Sequence, residues 1–212
     1  MEKILQKLKK NPLIAVVAIP SPHLAVPLSA ALLRGGVNCI EITFRNENAA
    51  EALYNIRDAG KEIIVGAGTV RTKEDAQNAI DANVDFMVSP GLNKSVIKYV
   101  QNNSPLPFFP GVDSTLGIET AYKLGIKTLK YFPASVVGGV KWLKSMKGPY
   151  YDINFMPTGG VGLDNLEDYL RLPNVLACGG SFLARSHLII DENWAEITQT
   201  AKKAVEIVNR LR

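Results

Sequence analysis

The chain has 212 residues, of which 47% are hydrophobic and 21% charged, and a net charge of +4. That length allows one large α/β domain burying roughly 70–75% of its unfolded surface, and the composition is that of an ordinary globular protein. Its Lys and Arg residues are scattered, without a basic stripe or interleaved aromatics, which argues against nucleic acid as a partner. No apolar run approaches the ~20 residues of a membrane span.

Taken in chain order, KILQKLKK (3–10) reads as a short amphipathic helix that closes a domain with its apolar stripe. The first apolar run, LIAVVAI, is too short for a secretory h-region with its cleavage site. It opens a series of strand-like segments: IAVVAI (14–19), NCIEIT (38–43), EIIVGAG (62–68) and DFMVSPG (85–91). PFFPG (107–111), TLKYFP (128–133), INFMPTGG (153–160) and VLACGGS (175–181) complete the set. The eight start roughly 20–26 residues apart. Between them lie helix-period segments such as LAVPLSAALLRGG, NAAEALYNIRDAG and KEDAQNAIDANV, the first two ending in glycines suited to helix C-caps. NWAEITQTAKKAVEIVNRL is the longest helical pattern.

Strand–helix alternation of this kind implies parallel βαβ units. Eight units predict an α/β fold, a (β/α)8 TIM barrel with a short N-terminal helix, as a single domain over residues 1–212. An open doubly wound sheet is the competing architecture. It calls for a Gly-rich turn after the first strand, where this chain has AIPSPHLAVP. Cys39 and Cys178 have no CxxC partner and read as small buried thiols of a reducing compartment, so the expected location is cytoplasmic.

A barrel predicts chemistry at the C-terminal strand ends. The segments EITFR, GAGT, SPG, PGVDS, PTGG and GGS all close their strands there. Side chains alternate along a strand, so in TLKYFP the residues Thr128, Lys130 and Phe132 share one face and Leu129 and Tyr131 the other. In CIEITFR, Glu41, Thr43 and Arg45 share a face opposite Ile40, Ile42 and Phe44. The aliphatic faces must meet the helices, so Glu41, Arg45 and Lys130 are expected to converge inside the barrel. A structural ion cluster is one reading, although buried ion pairs often stabilise no better than apolar replacements. Chemistry is the other. An interior lysine attacks a carbonyl to form a Schiff base, a nearby carboxylate moves protons, and an arginine holds a substrate carboxylate in bidentate fashion. The TGG and GGS turns offer backbone N–H groups to an anion, or they are simply tight turns.

The segments GGVNCIEITFRN, IVGAGTV, FMVSPGL, FFPGV, LKYFPAS, GGVKWLKSMKGP, FMPTGGV and CGGSFL, in this order, cover nearly the whole chain. Through them it resembles the 2-keto-3-deoxy-6-phosphogluconate / 4-hydroxy-2-oxoglutarate aldolases, class I pyruvate aldolases on a (β/α)8 barrel, usually trimeric. The resemblance implies a Schiff-base role for Lys130 and an acid/base role for Glu41. It implies contacts of Arg45 and Thr69 with the pyruvate carboxylate, with Pro90, Phe132 and Thr158 as further substrate contacts. Gly159, Gly160, Gly180 and Ser181 would bind phosphate. It also implies a small-molecule 2-keto acid as substrate, a homotrimer, no cofactor and no metal, and no nucleic-acid or membrane partner. The chain departs from the family pattern at Ser21, Asn46, Asp113 and Ser135, which touches substrate identity more than reaction type.

Three alternatives stand beside this one. A metal-dependent aldolase needs a ligand cluster, and His23 and His187 lie far apart without metal-ligand spacing. A phosphosugar epimerase or isomerase shares the phosphate turns but has no need of an interior lysine. A non-catalytic sugar-acid-binding barrel keeps Arg45 and the turns but gains little from pairing Glu41 with Lys130.

Overall fold

The β-branched and aliphatic runs form nine parallel strand segments in a computed structural model that describes residues 1–60 and 62–211. These are β1 (Leu13–Val17), β2 (Cys39–Thr43), β3 (Ile64–Gly68), β4 (Phe86–Val88), β5 (Phe108–Phe109), β6 (Gly111–Val112), β7 (Thr128–Tyr131), β8 (Asn154–Pro157) and β9 (Cys178–Gly180). One arc runs β5-β4-β3-β2-β1-β9 and a second runs β6-β7-β8. β5 and β6 are two halves of the fifth predicted strand, interrupted at Pro110, which has no N–H for the ladder. The Pro110 carbonyl still accepts from Lys130 N–H at 3.0 Å. Parallel bridges Phe155↔Val175 and Thr158↔Gly179 join β8 to the last strand and close the ring. The (β/α)8 TIM barrel is thus the observed fold.

Helices alternate with the strands: α1 (Glu2–Lys10), α2 (Ala25–Arg34), α3 (Asn48–Asp58), α4 (Lys73–Asp81), α5 (Lys94–Asn103), α6 (Thr115–Lys123), α7 (Gly139–Met146), α8 (Leu166–Leu170), α9 (Ser186–Ile190) and α10 (Trp194–Arg210). Their ends follow local chemistry. α4 opens on a capping box in which Thr72 Oγ1 accepts from Asp75 N–H at 3.0 Å while the Asp75 carboxylate accepts from Thr72 N–H at 2.9 Å. α2 stops at Gly35, and Gly36, at φ +85°, turns the chain so that Val37 N–H reaches back to the Leu32 carbonyl. Among the described residues no helix is long and apolar enough to cross a membrane.

Period-2 alternation sorts the strand side chains into two cores. Ile40, Ile42, Leu129, Tyr131 and Phe155 point outward into the layer shared with the helices. Ile14, Val16, Cys39, Ile64, Phe86, Val88, Phe109 and Met156 fill the barrel interior. Leu8 of α1, fully buried, joins this interior set, with Ile4 and Leu5 packed against it. The N-terminal helix therefore stoppers the floor of the barrel. Three of its lysines, Lys7, Lys9 and Lys10, sit in the last turn, where the helix dipole favours positive charge.

Candidate active site

Above the apolar floor, the inward face of β2 continues from Cys39 to Glu41, and the inward face of β7 presents Lys130. Lys130 Nζ donates to Glu41 Oε1 at 3.0 Å, across 89 residues of sequence. Lys130 is 4% exposed and Glu41 2% exposed. Both inward orientations are locked from behind. Tyr131, next to Lys130, stacks on Trp142 of α7 with centroids 4.5 Å apart and donates its hydroxyl to the Val137 carbonyl at 2.8 Å. Ile40 and Ile42 flank Glu41 in the outer core. Thr43, on the Glu41 face, is fully buried and donates to the Val17 carbonyl at 3.0 Å.

Interior room at this level comes from glycines. A Cβ on Gly68 would lie 2.2 Å from Glu41 Oε1, one on Gly66 would strike the Phe86 ring, and one on Gly179 would lie 2.6 Å from Thr158 Oγ1. This wall was not singled out from the sequence. Its signal is glycine at alternate positions of β3, the inward ones. Cys39 lies under the pair, and burial, then the Glu41 and Asp85 carboxylates, push its thiol well above 9.0.

The remaining candidates surround the mouth. Thr69 follows β3 at φ +58°, a left-handed conformation that is rare for a β-branched residue and collects at functional sites. The Phe132 ring centroid lies 5.4 Å from Lys130 Nζ, within cation–π range. Thr158, buried, directly follows β8, and its carbonyl accepts from Ala134 N–H at 2.9 Å, while the Gly159 carbonyl accepts from Ser135 N–H at 3.0 Å. Gly159 and Gly160 both have positive φ, at +92° and +77°. Asn165 holds the turn by donating to the Gly160 carbonyl and accepting from Gly162 N–H, each at 2.9 Å. Gly180 approaches it closely enough that a Cβ there would lie 3.3 Å from the Val161 carbonyl oxygen. The two Gly-rich turns are therefore neighbours, with Ser181 exposed beside them. Pro90 lines an open cleft of about 590 Å³ that also takes in Phe44, Val70 and Ser89 but neither Lys130 nor Glu41. The Lys130–Glu41 pair lies deeper, in the barrel itself.

Arg45 requires a correction. The alternation that places it inside the barrel ends at Thr43, and Arg45 stands in the turn beyond β2, exposed, its own N–H bonded to the Thr43 carbonyl at 2.8 Å. It does not share the interior with Glu41 and Lys130. It belongs to the rim. Asparagines pin the turn and the helix after it: Asn46 donates to the Ile19 carbonyl at 2.9 Å, and from α3 Asn48 donates to Pro20 at 2.8 Å and Asn55 to Pro22 at 3.3 Å. These pins tie the turn after β2 and helix α3 to the loop after β1 and give Asn46, a departure from the family pattern, a structural task. Among the described residues no three His, Cys, Asp or Glu side chains gather as a metal cluster.

The family described as Aldolase: KDPG and KHG aldolase matches residues 4–200. A 2-dehydro-3-deoxy-phosphogluconate aldolase of Haemophilus influenzae is 39% identical over 207 residues, which are 98% of this chain and 97% of that protein. The KHG/KDPG aldolase of Escherichia coli is 36% identical over 199 residues, 94% of this chain and 93% of that one. Among solved structures, KDPG aldolase from Legionella pneumophila, with pyruvate captured at low pH as a covalent carbinolamine intermediate, is similar with a TM-score of 0.88. It is 34% identical and covers 92% of this chain and 94% of its own. A barrel of this shape with relatives of this kind defines an aldolase, a carbon–carbon lyase. The chain belongs to the KDPG and KHG aldolase family.

Proposed function

We propose that the protein reversibly cleaves 2-keto-3-deoxy-6-phosphogluconate to pyruvate and glyceraldehyde 3-phosphate, and 4-hydroxy-2-oxoglutarate, more slowly, to pyruvate and glyoxylate. The buried contact between Lys130 Nζ and Glu41 Oε1 carries this reading. Passing a proton along that hydrogen bond leaves Lys130 as the neutral amine that attack requires. The amine adds to the C2 carbonyl to give a carbinolamine, and Glu41 hands the proton it took from Lys130 to the departing hydroxyl, so that loss of water leaves the protonated Schiff base and the Glu41 carboxylate. Glu41 as carboxylate removes the C4 hydroxyl proton. The C3–C4 electrons then move toward the iminium, releasing the aldehyde and leaving an enamine. Glu41 returns its proton to C3, and water hydrolyses the pyruvyl Schiff base to pyruvate and free Lys130. No metal takes part in this scheme.

Arg45 from the rim and the strained Thr69 hold the substrate carboxylate, with Pro90, Phe132 and Thr158 lining the pocket. Gly159, Gly160, Gly180 and Ser181 offer donors to a distal phosphate. Asp113, exposed after β6, opposes that anion by roughly 1–4 kcal/mol if close, depending on local dielectric. Several donors against one repulsion favour the phosphorylated substrate. The whole of residues 1–212 acts as one catalytic domain, in the cytoplasm. It assembles as a homotrimer, for which exposed Leu116 and Val136 supply apolar surface.

Borohydride reduction with saturating pyruvate tests the central step: a reduced pyruvyl group is expected on Lys130 and on no other lysine, and labelling elsewhere refutes the assignment. Activity lost to EDTA refutes it as well. For the distal end, kcat/KM is compared between the two substrates. Equal values that Ser181→Ala leaves untouched show the phosphate turns to be unused.

A further inference from the structure

The carboxylate that faces Lys130 is held from its other side by an absence. Glu41 Oε1, the oxygen that accepts from Lys130, is also the atom 2.2 Å from where a Cβ on Gly68 would stand, with Glu41 Cγ at 2.7 Å and Cδ at 2.8 Å. Real Cβ contacts this short do not occur, so a methyl group there must displace the Glu41 side chain. The strand cannot retreat instead. Gly68 pairs with Thr43 in the β2–β3 ladder, and its carbonyl accepts from Phe44 N–H at 2.8 Å. On its other side stands Thr69, fixed in the left-handed region. Gly68 itself has no positive φ, so the backbone does not demand glycine at this position. What demands it is Glu41.

We infer that Gly68 is a positioning residue for catalysis, its missing side chain setting where the Glu41 carboxylate lies against Lys130 and the substrate. The inference rests on the proton-transfer role proposed for Glu41. Displacement of a catalytic group by an ångström costs on the order of 10²-fold in rate. For Gly68→Ala we therefore expect exchange of the pyruvate methyl protons with solvent deuterium to fall about 10²-fold. Borohydride still traps pyruvate on Lys130, and the pyruvate concentration giving half-maximal exchange stays near that of the parent enzyme. In a Glu41→Ala background the same alanine lowers the residual exchange no further, because the group it displaces is gone. A purely structural role for Gly68 predicts the same loss in both backgrounds.

Parent-level exchange in Gly68→Ala, or an equal loss in the two backgrounds, overturns the inference. If Gly68→Ala does not fold, the double variant Gly68→Ala/Glu41→Ala decides, with Glu41→Ala alone as its reference: a double as stable as that single variant assigns the collision to Glu41, and a double less stable than it overturns the inference. Glu41→Gln separates this from the reading beneath it. Parent-level exchange in that variant removes the proton-transfer role of Glu41, whatever Gly68→Ala does.

Discussion

Two charges at one buried contact are the smallest unit of this protein that has chemical meaning. Each side chain alone is costly to bury, and removing one partner strands the other. Lys130→Met should therefore destabilise the fold by about 3–5 kcal/mol, while Lys130→Met/Glu41→Leu should recover most of that loss in urea unfolding. Recovery would show that stability alone does not require the pair. Its parts should also separate kinetically. Glu41→Gln is expected still to bind pyruvate and reach the Schiff base at saturation, more slowly because Gln cannot take the Lys130 proton, and to lose ~10²–10⁴ in methyl-proton exchange, the usual scale of general acid/base catalysis. Arg45→Ala, on the rim, should mainly raise the pyruvate concentration needed for half-maximal exchange. Unchanged exchange in Glu41→Gln would refute the role given to it. Lys130 and Glu41 were legible in the sequence because each sits mid-strand among aliphatic residues whose alternation leaves them one direction to point. Arg45 was misplaced by the same rule carried two residues too far. The end of β2 is decided by Asn46 and Asn48 reaching across to the loop after β1, a long-range effect that local periodicity does not contain.

At the scale of elements, the strand–helix rhythm gave the barrel because parallel strands need a helix to return the chain, and each return left its mark in spacing and polarity. The fifth strand was recognisable by its aromatics, but its division at Pro110 reflects a missing donor rather than any change in hydrophobic pattern. The amphipathic α1 was legible as a closing helix. What it closes became visible only when Leu8 was found among interior strand residues. Leu8→Ala should cost 2–5 kcal/mol, the range for large-to-small changes in a core. Because Leu8 packs on the floor and not at the mouth, the variant is expected to keep its rate of pyruvate trapping at temperatures where it stays folded. Thermal unfolding followed with trapping checks both halves of this expectation.

Over the whole molecule, several weak acids are buried where their ionised forms are disfavoured. Burial pushes the Tyr131 hydroxyl up to about 12 and the Cys178 thiol well above 9.0, and Cys39 is raised by burial reinforced by Glu41. In each case the folded chain keeps a proton that the unfolded chain gives up. Stability is therefore intact at neutral pH and falls as pH rises above the unfolded thiol value near 9. Urea midpoints should drop progressively from about pH 9 to pH 11, and Cys178→Ala should show a shallower drop than the parent. An equal slope in the two would mean that the Cys178 thiol ionises alike in the folded and the unfolded chain, which would refute its burial effect.

The helix at the base of the barrel has a consequence for traffic. A vessel sealed at one end must admit its substrate and discharge both products through the same opening. In the scheme proposed above, the half of the substrate that becomes pyruvate is tethered on Lys130, only 4% exposed, and the half that becomes the aldehyde lies toward the mouth. Release is then obligatorily sequential, with the aldehyde leaving first and pyruvate last, and the synthetic direction must load pyruvate before the aldehyde. Steady-state inhibition should record this as a queue: pyruvate competitive against the substrate, and a non-reacting aldehyde analogue uncompetitive.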